Sequence, residues 1–287
     1  MRWKGRRQST NVEDRRGSDV LRGKRGASSG AMILLILAGL FFGEDVQRVF
    51  SLFVGSDGSS SYSSQSNSQS NSRNSPSSSN DENVAFVKTI LAETEDTWNQ
   101  IFARSGSAYQ APVLVLYEGQ TPTACGVGQA ASGPFYCPGD YKIYIDLSFM
   151  NELKRMGAPG DFAFAYVIAH EVGHHIQNIT GIATDVRQKQ ARTNKAGANL
   201  LSVKMELQAD CLAGIWINHT EQRRAILEGG DLEEGFAAAS AVGDDTIMAR
   251  AGVPARRENF THGSSKERMY WFSQGMKSGA INDCQTF

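Results

Sequence analysis

The sequence predicts an α+β fold, a small β-sheet or hairpin followed by a predominantly helical domain, and three observations carry that prediction. An amphipathic run at residues 84–102 places Val84, Val87, Leu91, Thr94, Trp98 and Phe102 at three- and four-residue steps, the spacing of a helix with one buried face. Two β-rich runs follow, residues 111–119 bounded by Pro112 and Gly119, and residues 141–146, where Tyr141, Ile143 and Ile145 alternate with Lys142, Tyr144 and Asp146. Beyond residue 150 the pattern is helical, over residues 150–154, 162–179, 186–190, 195–219, 231–242 and 264–277.

What precedes this domain reads differently. Residues 1–30 hold nine Lys and Arg against three acidic residues, a local net of +6 in a chain of 287 residues whose formal charge is -1. Residues 30–43, "GAMILLILAGLFFG", carry no charge. Fourteen residues are short for a bilayer span of about 20. The run is nevertheless apolar all round, lies between a basic tail and a serine-rich tract, and is not followed by a small-x-small cleavage site. The expectation is an uncleaved transmembrane signal anchor with its flank at residues 31–54, and a basic tail at residues 1–30 left in the cytoplasm. The protein would then be a single-pass protein of the cytoplasmic (inner) membrane, its folded part periplasmic or otherwise extracytoplasmic. Fourteen serines in the 28 residues 55–82 leave little to bury and predict a disordered linker, with the folded domain at residues 83–287.

The four cysteines, Cys125, Cys137, Cys211 and Cys284, agree with an oxidising compartment. Three pairings are possible; the short loop favours Cys125 with Cys137, which leaves Cys211 with Cys284. No C-x-x-C pair exists, which argues against a cysteine-based zinc site.

Candidate chemistry concentrates in "AHEVGHHIQN". On a helix, His170 and His174 lie one turn apart on one face, and Glu171 sits one position round. This is H-E-x-x-H, in which two imidazoles bind zinc and the carboxylate serves as general base toward water. His175 is off that face and is expected to pack or hydrogen-bond. A hydrolytic zinc site needs a third protein ligand. The class that takes a third histidine from H-E-x-x-H-x-x-G-x-x-H is excluded, because that position is Thr180. "VKMELQADCLAGIW" supplies a carboxylate instead, Glu206, and one turn later Asp210, placed to accept the N–H of a ligating imidazole. His219 reads as a surface or capping residue. His262, on a glycine-containing loop before a helix N-cap at Ser264 or Ser265, is a candidate donor to an oxyanion, with Tyr136, Tyr141 and Tyr144 as further donors.

These residues resemble a known family. "HEVGHH" followed by "MELQADC", the "GPFYCP" loop, "FTHG", an ending W-F-x-x-G-x-x-S-G…C-x-T-F, and the opening "MRWKGRRQSTNVEDRRG" look like the bacterial neutral zinc metallopeptidases labelled YpfJ-like. The resemblance spans almost the whole chain apart from the serine-rich tract. It implies a gluzincin-like core, one zinc per chain held by His170, His174 and Glu206, and Glu171 as catalytic base.

Together these readings predict a membrane-anchored zinc endopeptidase acting on a peptide or protein substrate, which the strand at residues 142–147 would bind by strand addition. The alternative is a non-catalytic, zinc-stabilised envelope binding protein; an intact Glu171 beside the ligands argues against it. The basic tail is explained by topogenesis, and no nucleic-acid partner is expected.

Overall fold

A computed structural model describes residues 1–17 and 78–287, so the expected anchor at residues 31–54 lies outside the described residues. Among the described residues, no helix is long and apolar enough to cross a membrane. Helix α1 (Ser78–Arg104) buries Val87, Leu91, Thr94 and Trp98 of the face its spacing predicts, and also Phe86 and Ile90, which lie beside it; Val84 and Phe102 are half-buried against the core. It begins five residues before residue 83, so residues 78–82 belong to the helix and not to the linker.

A four-stranded sheet follows, in the order β1-β2-β6-β5, where β1 is Val12–Asp14, β2 Val113–Tyr117, β5 Phe135–Cys137 and β6 Lys142–Asp146. β1 and β6 both pair parallel to β2, and β5 pairs antiparallel to β6. The two-residue period divides the sheet cleanly. Leu114, Leu116, Ile143 and Ile145 enter the main core, while Val115, Tyr117, Tyr144 and Cys137 form a small cluster on the opposite face. A separate hairpin of β3 (Gln120–Thr123) and β4 (Gly126–Gln129) is tied back by the disulfide Cys125–Cys137. β5 covers Lys142, Ile143 and Tyr144 of β6 and β2 lies on its other side, so these three residues are not available for strand addition; among the described residues β5 is the edge strand on that side of the sheet.

The remaining elements are helices: α2 (Phe149–Arg155), α3 (Asp161–Ile179), α4 (Ile182–Gln190), α5 (Lys195–Arg224), α6 (Asp231–Ala241), α7 (Asp244–Arg250) and α8 (Ser265–Ser278). α3 is buried over most of its circumference, packed by α1, α5 and α6. Its single-residue spacer Gly173 permits close approach to α5, since a Cβ there would stand 2.9 Å from the Ala209 carbonyl oxygen. The second disulfide, Cys211–Cys284, fixes the C-terminal turn to α5. Both expected pairings are therefore present.

The separate basic tail is corrected for residues 1–17, which are part of the domain. Trp3 stacks edge-on against Phe86, and β1 forms the fourth strand. The decisive contact is electrostatic. Glu95 on α1 is only 5 % exposed, and its carboxylate accepts from Arg7 Nη1 (3.0 Å), Ser9 Oγ (2.5 Å) and Asn11 Nδ2 (2.8 Å). Removing the segment would leave this carboxylate buried without those partners, which typically costs about 3–5 kcal/mol. Urea unfolding of a chain beginning at residue 78 is therefore expected to show a loss of at least about 3 kcal/mol against the full chain. Equal midpoints and slopes would show that the segment contributes no stability.

Candidate active site

The helix crossing at Gly173 brings the predicted residues together. His170 and His174 project from α3 toward Glu206 on α5. His170 Nε2 lies 3.2 Å from Glu206 Oε2, and His174 Nε2 lies 3.4 Å from Glu206 Oε1. Two ligand atoms of a tetrahedral zinc with bonds of about 2.05 Å would stand about 3.3 Å apart, so this donor set fits the ion. Among the described residues, this cluster contains three ligand groups, His170, His174 and Glu206.

Hydrogen bonds fix which ring nitrogens point inward. Asp210, fully buried one turn beyond Glu206, takes His170 Nδ1 at 2.8 Å, the expected orienting contact. It also accepts from the Tyr166 hydroxyl at 2.5 Å and from Arg268 Nε and Nη2 at 2.8 Å each. His174 Nδ1 donates to Gln177 Oε1 at 2.9 Å. Gln177 Nε2 in turn donates to the Met205 carbonyl (2.8 Å) and to Gln208 Oε1 (3.0 Å), and Gln208 Nε2 donates to the Cys284 carbonyl (3.1 Å). The Cys211–Cys284 disulfide thus ends a chain of contacts that begins at His174.

The electrostatics show what the site demands. Burial by itself would lower the His170 pKa, but Asp210 and Glu206 outweigh it and raise it to about 9. His174 is raised in the same way by Glu206. Burial would raise Glu206, yet the two imidazoles hold it well below the usual carboxylate range. These carboxylates favour positive charge between the imidazoles, and a divalent cation supplies it while the rings stay neutral. Burial pushes Glu171 up, opposed in part by His174 and His170, which moves this carboxyl toward the range suited to a general base.

A cavity opens over the cluster. Its polar side is lined by His170, Glu171, His174, Glu206 and His262, and its apolar side by Pro134, Phe135, Phe149, Val167, Met205 and Val242. His262 sits on the loop before α8, whose N-cap is Ser264 in a capping box with Glu267. Its Nδ1 lies 3.1 Å from Asp244 Oδ1, while Asp244 Oδ2 accepts the backbone N–H groups of Thr261 (2.8 Å), His262 (2.6 Å) and Gly263 (2.9 Å). One carboxylate therefore sets both the loop and the ring.

The three tyrosines are corrected as donors. His175 Nε2 donates to the Gln110 carbonyl at 2.6 Å, so its Nδ1 accepts from the Tyr136 hydroxyl at 3.1 Å, and that proton is not free for a substrate. Tyr144 donates to Asp140, and Tyr141 packs edge-on against His175 without lining the cavity. His175 itself is a packed, hydrogen-bonded neighbour, as expected. His219 does not end its helix, which runs on to Arg224; it donates to the Gly279 carbonyl at the end of α8.

His175 also gives a pH prediction. It is 0 % exposed, and burial lowers its pKa to about 4, the Gln110 carbonyl offsetting only part of the shift. The unfolded chain binds a proton near pH 6.5 that the folded one refuses. The His175 contribution to stability is thus complete above about pH 6.5 and is lost as pH falls toward 4, on the order of 3 kcal/mol. Urea midpoints across that range should fall with acidity less steeply in His175→Gln; an unchanged slope would remove His175 from the account.

Sequence reasoning missed Tyr166, Arg268, Gln177, Gln208 and Asp244. Tyr166 was legible as the residue one turn before His170, and Arg268 as a cation one turn before the buried Phe272. Asp244 left no local signal, because its partners are 17 to 19 residues away.

An α+β domain whose central helix carries H-E-x-x-H and whose next long helix supplies a carboxylate facing the two histidines is the arrangement of zinc-dependent peptidases. The comparisons with known proteins place the chain within that class. It belongs to the family described as "Putative neutral zinc metallopeptidase", which it matches over residues 1–287. It is 46% identical over 296 residues to "Uncharacterized protein YpfJ" of Escherichia coli (strain K12), covering 100% of this chain and 99% of the relative. It is 35% identical over 213 residues to "Uncharacterized protein Rv2575" of Mycobacterium tuberculosis (strain ATCC 25618 / H37Rv), covering 70% of this chain and 71% of the relative. No solved structure matches it.

Proposed function

We propose that this protein is a zinc-dependent endopeptidase, with His170, His174 and Glu206 as ligands and Glu171 as general base. We further propose that it works in an extracytoplasmic compartment and is held at a membrane through residues 31–54. The observation that carries the catalytic reading is a three-ligand cluster opening onto a cavity that Glu171 also lines. A structural zinc is closed by four protein ligands and has no use for a base beside them. The two disulfides support the oxidising compartment.

Zinc bound there would polarise the scissile carbonyl and acidify the attacking water. Glu171 accepts the proton of that water and returns it to the leaving amine. His262, its ring set by the contact of Nδ1 with Asp244, offers Nε2 to the oxyanion. The free edge of β5, whose Phe135 and Tyr136 line the cavity, offers main-chain groups to an extended substrate, and the apolar wall receives a side chain.

If Asp244 holds His262 in place, Asp244→Asn should lower kcat by up to about a hundredfold with KM little changed. An unaltered kcat would remove the pair from the mechanism. The function as a whole is tested by incubating the full chain, loaded with zinc, with an unstructured protein such as casein. Cleavage that a chelator stops and added zinc restores is expected. One bound zinc with no cleavage would favour the non-catalytic envelope binding protein.

A further inference from the structure

We infer that Arg187 selects the substrate of this cavity. On the reading that the site binds peptide chains, it favours those that carry a carboxylate beyond the metal cluster, on an acidic side chain or at the chain's own C-terminus. Arg187 lines the same cavity as His170, His174 and Glu206, in company with Tyr136, Asn178 and Ala183. Its place is set by the fold. α3 ends at Ile179, Gly181 turns the chain in the left-handed region (φ 84°), and α4 begins at Ile182. Ala183 and Arg187 are four apart and share the face of α4 that is turned to the cavity. Gln190 Nε2 then fastens the end of α4 to α5, through the Ala198 carbonyl (3.2 Å) and Ser202 Oγ (2.9 Å). The guanidinium is thus carried on a helix held to both α3 and α5, which bear the cluster.

Charge decides what this group can receive. The carboxylates that line the cavity, Glu171 and Glu206, are both engaged at the cluster. Arg268 is buried and already paired, since Nε and Nη2 each donate to Asp210 at 2.8 Å. Arg187 is exposed and, among the described residues, pairs with no carboxylate; its hydrogen bond runs from Nη2 to Thr184 Oγ1 at 3.1 Å. Asp185, two positions earlier, projects from another side of α4. The Tyr136 hydroxyl is committed to His175, and Asn178 Nδ2 donates to that same hydroxyl at 2.9 Å. Burial pushes the Tyr136 hydroxyl up and the Arg187 charge opposes it, so that charge is felt at β5, along which an extended substrate would lie. Asp140 also acts on Tyr136, but it does not line the cavity, and its Oδ2 accepts from the Ala124 N–H (3.1 Å) and the Tyr144 hydroxyl (2.7 Å). A guanidinium with unpaired N–H groups beside an apolar wall is suited to a carboxylate, which it can grip through two parallel hydrogen bonds.

The test uses the full chain loaded with zinc, as Glu171→Gln for binding and as wild type for cleavage. Fluorescence anisotropy gives Kd for short peptides labelled at the N-terminus and amidated at the C-terminus, with a single Glu or Gln stepped through each position. The Gln peptides are measured again with a free C-terminal carboxylate. A preference of about tenfold for the carboxylate-bearing peptide is expected at low salt, shrinking as salt is added. Preference for Glu identifies a side chain as the source, and preference for the free terminus identifies a chain end. Arg187→Gln should erase the preference, Arg187→Lys should keep part of it, and Arg187→Glu should turn it toward peptides carrying Lys. A residue that only steadied the end of α4 would shift Tm without changing this order. Equal affinity for acidic and neutral peptides, a preference that survives Arg187→Gln, or no binding of any peptide would overturn the inference. The two readings fail separately. Acidic preference with no cleavage by the wild type removes the peptidase and leaves the role of Arg187 standing, whereas casein cut at sites with no acidic or terminal bias removes Arg187 alone.

Discussion

Glu206→Ala is expected to strip the protein of its zinc. Elemental analysis of the full chain, residues 1–17 included because they complete the sheet, should find one zinc per wild-type molecule and little or none in the variant. Glu206 reaches both imidazoles, at 3.2 and 3.4 Å, so its loss leaves two imidazoles on one helix without the carboxylate that faces them. The drop in affinity should exceed the roughly 10- to 100-fold typical of losing an orienting partner behind a ligand. Circular dichroism of the variant checks that the helices remain. Full zinc occupancy in both proteins would mean that Glu206 is not an essential ligand, and the proposed chemistry would have to be rebuilt on another third group.

Glu171→Gln should do the opposite, keeping the metal and losing the reaction. The amide has the shape of the carboxylate but cannot accept a proton from the attacking water. A general base contributes about a hundred- to ten-thousand-fold, so kcat for a peptide substrate should fall within that range while KM changes little. Turnover equal to wild type would sink the mechanism. Together the two substitutions separate binding from catalysis: the first removes zinc and activity, the second only activity.

Helix positions were legible because their apolar spacing is local. His170, Glu171, His174, Glu206 and Asp210 could be read from turn arithmetic, since residues four apart on a helix must share a face wherever that helix goes. The strands at residues 111–119 and 141–146 were legible for the same reason. β5 is only three residues long and β1 lies far upstream of its partner, so neither shows enough alternation to announce itself. Assigning substrate binding to β6 did not foresee that β5 covers Lys142 to Tyr144, because a strand's own sequence does not state whether its edges are covered. That depended on β2 and β5 arriving on either side.

The sequence by itself determined the candidate ligand types, the spacing that aligns them, the candidate base and the pairs of cysteines able to join. Those follow from helix periodicity and from which side chains bind metal or accept protons. Only the tertiary structure decided that Glu206 meets both imidazoles, that Asp244 holds His262, that Tyr136 spends its proton on His175, and that residues 1–17 belong to the domain. Each of these is a contact between segments far apart in the chain. It is set by the close crossing of α3 and α5 and by a buried carboxylate that must find its partners, which no local pattern encodes.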